Sequence, residues 1–221
     1  MAGTSSSAPI EFYGFWRSIA SFRVRTALRL KGLSAEERVI DLLKGEQHSD
    51  AFDKINPGHA IPALLSDGAI LTQSLAIMEY LDEVYPEPSL MPKTPIDRAY
   101  ARALALVAVA DTHPLVVPRI RHKLAAMGHD EAAVMSWCNH WTHEAVKTYE
   151  SLLARRPAAP FALGATVGIA DICIASLSVQ AHFFKVDLAP YPHVATLAKL
   201  CFELPAFAES HPLKQPGAPQ G

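Results

Sequence analysis

Between Pro86 and Pro95 the chain reads PEPSLMPKTP, with four prolines in ten residues. Proline fixes φ and has no amide hydrogen to give, so neither a helix nor a central strand can run through such a stretch. The 221 residues therefore fold as two halves joined by a stiff linker. On the N-terminal side the apolar pattern switches between the period of a strand and that of a helix. On the C-terminal side only the helical period recurs. Half of the chain is hydrophobic, enough to build a core in each half.

The first half resolves into seven elements. Ile10 to Trp16 (IEFYGFW) reads as a buried strand, Ser18 to Leu30 as a helix stopped by KGL, and RVIDLL at 38–43 as a second strand; together they close a βαβ unit. A short polar helix is expected through His48–Ile55. NPGHAIPALLSDGAILTQS (56–74) then reads as a turn, a strand, an Asp67-Gly68 hairpin and a last strand. Ser74 is placed as N-cap of the helix LAIMEYLDEVYP. The expected fold is α/β plus all-α, a βαβ-α-ββ-α domain with a mixed sheet and then a helical bundle. In residue numbers it comprises a disordered leader over 1–9, the α/β domain over 10–86, a linker over 87–95, the helical domain over 96–212 and a disordered tail over 213–221.

A net charge of −2 offers no field for a phosphate backbone or an anionic membrane, so neither nucleic acid nor membrane is an expected partner. The stretch MAGTSSSAP lacks a targeting pattern, and no run reaches the ~18 apolar residues of a membrane span. Cys138, Cys173 and Cys201 are odd in number, far apart and set in apolar helical surroundings, which reads as reduced structural thiols in a cytoplasmic protein.

The stretch FWRSIASFRVRTAL (15–28) surrounds a strand-to-helix turn yet holds no Cys, His, Asp or Glu to act as nucleophile or base. Ile61-Pro62, after the Asn56-Pro57-Gly58 turn, is either an ordinary trans edge proline or a cis bond that turns the Ile61 backbone outward to pair with an extended peptide. Gln73-Ser74 opens a helix, whose first N–H groups suit a carboxylate. Together these make a peptide-shaped site with one acidic end. The Ser18–Ser21 turn lies at the same sheet edge, where open α/β sheets place ligands.

These features, with GIADICIAS opening a helix in the second half, resemble a cytosolic glutathione transferase. The stretches FWRSIASFRVRTALRLKGL, NPGHAIPALL, LTQSLAIMEYLDEVYPEPSLMP, DTHPLVVPRIRHKL, and FKVDLAPYPHV through AFAESHPLKQPGAPQ resemble the zeta class, which includes maleylacetoacetate and maleylpyruvate isomerases. That resemblance implies a thioredoxin-like first domain, glutathione as cofactor, a homodimer, a place in aromatic amino acid catabolism, and cis–trans isomerisation of a diketo dicarboxylic acid. Ser18 would face the glutathione sulfur with Ile19 and Ala20 beside it. Ile61 would pair with the cysteinyl backbone, Gln73 and Ser74 would hold the γ-glutamyl end, and Gln47 the glycine end. Arg17 and Arg119 would take the carboxylates of the acceptor, with His113 nearby.

Three positions depart from the class. Ser18-Ile19-Ala20 replaces Ser-Ser-Cys, Phe183 (after His182) stands where an arginine is usual, and Gly168 stands where a capping Thr is usual, with Asp171 able to bond back to the turn. A Phe cannot pair with a carboxylate, which keeps open a general transferase or peroxidase with a hydrophobic acceptor, and beyond it a non-catalytic binding protein of the same fold. Arg23 and Arg25 read as helix-surface or domain-interface pairs. His140 and His143 share a helix face, but no third ligand recurs and no metal is expected.

Overall fold

Alternation in IEFYG buries Ile10, Phe12 and Gly14 on one face of strand β1 (Ile10–Gly14) and leaves Glu11 and Tyr13 half-buried on the other. In the computed structural model, which describes residues 9–219, two compact units form. The first runs to Pro88 and takes in the chain from Pro212 onward; the second is Ser89–His211. The expected leader lies, apart from Pro9, outside the described residues, as do the last two positions of the expected tail.

In the first unit, β1 is followed by helix α1 (Ile19–Leu30), β2 (Ala35–Val39), α2 (Asp50–Asp53), β3 (Ala63–Ser66), β4 (Ala69–Thr72) and α3 (Ser74–Val84). The sheet order is β2-β1-β3-β4, with β1 parallel to β2 and antiparallel to β3, and β3 antiparallel to β4. The sheet is mixed, as the hairpin requires, and its order is the thioredoxin-like one that the resemblance implies. Phe12 lies under the guanidinium of Arg25 from α1, whereas Tyr13 meets Phe52 of α2, so the pleat sends α1 and α2 to opposite faces.

Several boundaries differ from the sequence reading. β2 ends at Val39 because its register with β1 stops at Gly14, after which Asp41 accepts from the Leu43 amide (2.9 Å) and bends the chain into a turn. The apolar run through Leu43 is loop, with Leu43 72% exposed. The polar helix at 48–55 is a 3₁₀ turn, Glu46–His48, and then α2 capped by Ser49. The tail expected to be disordered from 213 holds a 3₁₀ turn, Pro212–Lys214, and Gln215 is buried, so burial anchors it as far as it is described.

Arg23 and Arg25 are not surface pairs. Both are buried inside the first unit, where Arg25 grips Glu37 of β2 through Nε (2.9 Å) and Nη2 (2.5 Å). Lys31, at the end of α1, is also buried. Its ammonium donates to Asp82 Oδ1 (2.5 Å), Tyr85 O (2.7 Å) and Pro88 O (2.7 Å), using all three donors to tie α1 to the last turn of α3.

The second unit is helical: α4 (Pro95–Leu106), α5 (His113–Val116), α6 (Pro118–Ala126), α7 (Glu131–Ala154), α8 (Ile169–Phe183), α9 (Pro192–Glu203) and α10 (Pro205–Ser210). A π-helical stretch, Val107–Thr112, joins α4 to α5. Leu90 and Met91, expected in the linker, are buried within this unit. Contrary to the sequence reading, the run Pro95–Ala126 is long and apolar enough by composition to pass for a membrane span. A third of its most apolar stretch (33%) is buried, and the buried residues of the run include Ala101, Leu104, Ala105, Val107 and Ala108, so one face packs inward and the rest is exposed or partly so.

Nearly every residue of α8 is buried, and α8 is the centre of this unit. At its start Asp171 accepts from the amides of Ala162 and Gly168, each at 2.8 Å. Gly168 has a physical reason: a Cβ there would come within 2.6 Å of the Leu90 carbonyl, which accepts from the Ile169 amide. Burial pushes the Asp171 carboxyl up to about 6, against the two amides that favour the anion.

Two outcomes follow. Lys31→Met removes the ammonium that faces Asp82 and two carbonyls, and should cost about 3–5 kcal/mol in urea unfolding; the double variant with Asp82→Leu should recover much of it, and no recovery would mean the loss is one of packing. Asp171 holds its proton more tightly folded than unfolded, so its contribution is largest below the unfolded value of 3.8 and is lost as pH rises through about 6. The stability difference between wild type and Asp171→Asn should therefore fall by about 3 kcal/mol across that window, and a flat difference would refute the assignment.

Candidate active site

Strand register gathers the functional segments of the first unit. Tyr13 pairs with Ala63, and Ala63 pairs with Thr72. The residues just beyond these three are the turn Phe15–Ser18, the Ile61-Pro62 peptide and Gln73-Ser74, so all three reach the same sheet edge. β2 runs parallel to β1 and ends at this edge too, which brings the following loop, with Gln47, to the same side.

Ser18 is the N-cap of α1. Its Oγ accepts from the Ser21 amide at 3.1 Å, which leaves the hydroxyl proton available to an acceptor outside the helix. The turn is braced from within: Ser18 N donates to Phe15 O (3.1 Å), and Phe15 N donates to the buried Ser21 Oγ (3.4 Å). Ile19 and Ala20 are buried, so what they can offer a ligand is their first-turn amides, which have no acceptor within the helix. Arg17 is exposed beside them.

The Ile61-Pro62 bond is cis, the second of the two readings. Gln73, not Ser74, is the N-cap of α3, with φ at +70°, a left-handed value that turns the strand directly into the helix. Ser74 occupies the first helical position and is buried, its Oγ accepting from Arg23 Nε at 2.9 Å. Arg23 thus fixes the orientation of Ser74 from α1. The sequence did carry a signal for it, because Arg23 lies four residues from both Ile19 and Ala27 on the apolar face of α1. Gln47 keeps its side-chain Oε1 buried without a hydrogen-bond partner, while its carbonyl meets His59 Nδ1 at 2.9 Å. An unsatisfied buried acceptor at the edge fits a donor arriving with a ligand.

Arg119, His113 and Phe183 belong to the second unit. Arg119 is exposed, one residue into α6 after Pro118, and His113 opens α5 directly after the π-helical stretch. Phe183 is half-buried at the last position of α8, and its neighbour Phe184 packs with Val116 and Cys138 under the guanidinium of Arg121, 6.0 Å from the ring centroid. Burial pushes the Cys138 thiol up, with Arg121 pulling weakly the other way, so Cys138 is a packing residue and no nucleophile. His143 Nε2 meets Tyr191 Oη at 2.5 Å, and His140 stacks edge-on against Trp141. Among the described residues no group of three His, Cys, Asp or Glu is placed to hold a metal.

The model of the glutathione S-transferase N-terminal domain matches residues 8–83. Maleylpyruvate isomerase from a Ralstonia species is 40% identical over 209 residues, 94% of this chain and 99% of that protein. The holo structure of a maleylpyruvate isomerase described as a bacterial zeta-class glutathione S-transferase superposes with a TM-score of 0.92 at 39% identity, covering 95% of this chain and all of that one. Maleylacetoacetate isomerase from Methylobacterium extorquens AM1, solved with malonate and glutathione bound, also gives 0.92, at 44% identity over 95% of this chain and all of that one.

The Arg23–Ser74 contact can be tested by itself. Ser74→Ala takes the acceptor from a buried guanidinium and should destabilise the fold by about 1.5–3 kcal/mol in urea unfolding. A cost near zero would show that Arg23 bonds equally well elsewhere.

Proposed function

Because the chain belongs to the glutathione S-transferase family, in its zeta class, we propose that it is a glutathione-dependent cis–trans isomerase of a diketo dicarboxylic acid, of the maleylpyruvate or maleylacetoacetate type. The observation that carries this is the α1 turn, where a capping hydroxyl, two first-turn amides and an exposed arginine follow one another from Arg17 to Ala20. Bound glutathione supplies a thiol whose reversible addition to the cis double bond permits rotation about it.

The residues of this chain supply binding and charge. The Ser18 hydroxyl and the positive end of α1 favour the thiolate over a thiol that otherwise titrates near ~8.5. Ile61 offers backbone pairing to the cysteinyl unit. Gln73 and Ser74, with Arg23 behind them, receive the γ-glutamyl carboxylate at the start of α3, and Gln47 the glycine end. Arg17 and Arg119 hold the acceptor's carboxylates and offset the charge that develops on its diketo group, and His113 lies on the same stretch of the second unit as Arg119. The thiol belongs to the cofactor, so the absence of Cys at position 20 removes no reacting atom.

The protein is further read as a cytoplasmic homodimer. Ile96, Ala99, Tyr100, Ala103 and Leu106 form an exposed apolar stripe along α4 of the kind a second copy covers, and all three cysteines are buried thiols. A second reading, conjugation of glutathione to an apolar acceptor, is favoured by Phe183, which puts a ring where an arginine is expected.

Turnover of maleylpyruvate and maleylacetoacetate with and without glutathione decides between the two. Isomerisation that needs glutathione supports the first; conjugation of a chlorinated nitroarene without isomerisation supports the second. Ser18→Ala should raise the pKa of bound glutathione by about one to two units and slow isomerisation about 10- to 100-fold, the equivalent of one hydrogen bond to an anion. An unchanged thiolate titration would assign activation to the helix end and Arg17 instead.

A further inference from the structure

We infer that the C-terminal segment from Pro212 to Pro219 is a strap that positions the β1–α1 turn for the acceptor, with Trp16 as the positioning residue through which it acts. The inference rests on the acceptor role proposed for Arg17.

The chain leaves the helical unit at His211 and from Pro212 onward belongs to the first unit. Two turns shape it there: Gln215 N donates to Pro212 O and Ala218 N to Gln215 O, both at 3.1 Å. Pro212 and Gln215 are buried and anchor it, whereas Leu213 and Lys214 between them face solvent. Beyond the anchor, Gly217 takes φ +86°, a conformation that L side chains rarely adopt, and a Cβ built on it would lie 3.5 Å from Cδ1 of the Trp16 indole. Pro216 and Pro219 stiffen the backbone on either side. The strap therefore passes beside the indole with no side chain at Gly217.

Trp16 sits between the part of the turn that is clamped and the part that works. Phe15 is held inside, its ring 5.7 Å from that of Trp16 and its backbone bonded to Ser18 and Ser21. Arg17, on the other side, is exposed. Trp16 and Arg17 share a peptide plane, so packing that holds the Trp16 residue in place also holds the backbone from which Arg17 projects. Ser18 is fixed separately by the cap to Ser21. The strap should accordingly govern the acceptor and leave glutathione alone.

A chain ending at Gln215 keeps both anchors and removes the cover from Trp16. It should raise KM for maleylpyruvate roughly tenfold, with kcat within about twofold and glutathione affinity by calorimetry unchanged. Its tryptophan emission should shift to the red relative to the full chain, and that shift should vanish in a Trp16→Phe background. Trp16→Ala should reproduce the KM change, with no further increase when the two are combined. The strap is overturned if the shortened chain keeps its KM and emission, if its KM rises while glutathione affinity and thermal stability fall with it, or if the two changes add. The emission arm reads the strap whichever acid is turned over, so absence of isomerase activity in the full chain would overturn the acceptor reading while leaving this contact decided.

Discussion

A slip of one residue between β1 and β3 would turn Phe12 away from α1 and Tyr13 away from α2, and neither face tolerates the exchange. Phe12 is almost wholly buried with the Arg25 guanidinium over its ring, and Tyr13 packs against Phe52. Register here is therefore set by side-chain burial, and it also aligns Tyr13, Ala63 and Thr72 across three strands. The candidate site consists of what comes immediately after or before those three residues. The same packing that makes the core thus brings Ser18, Ile61 and Gln73 to one edge.

Behind this edge, three buried cations among the described residues of the first unit each join elements. Arg23 runs from α1 to Ser74 at the start of α3, Lys31 from the end of α1 to the end of α3, and Arg25 from α1 to Glu37 on β2. Such groups are costly to bury and persist where partners receive them. Lys31 and Arg23 pin the two ends of α3 to α1. The N-terminal end is the one that presents Gln73 and Ser74, so a structural contact and a binding surface share one helix turn.

Much of this was legible beforehand where the signal was local. The Asp67-Gly68 hairpin and the arrest of helices at the proline-rich stretch follow from turn chemistry, and the structure has both. Signals failed where a tertiary contact overruled a local pattern. The apolar residues through Leu43 read as strand but lie beyond the register of β1; the tail from 213 reads as disordered but is held by Pro212 and Gln215. Gly168 stands where a capping Thr is usual, and the nearby Leu90 carbonyl shows why a larger residue does not fit.

Composition and period by themselves determined that one half is a mixed α/β sheet and the other helical, that the β1–α1 turn carries a hydroxyl and a cation but no protein nucleophile, and that Gln73-Ser74 opens a helix. These depend on bonds and side chains a few residues apart. Tertiary structure alone decided which of Gln73 and Ser74 caps, whether Arg23 faces water or Ser74, and where the tail comes to rest. Each of those is a competition between partners far apart in the chain, settled by which one burial leaves within reach.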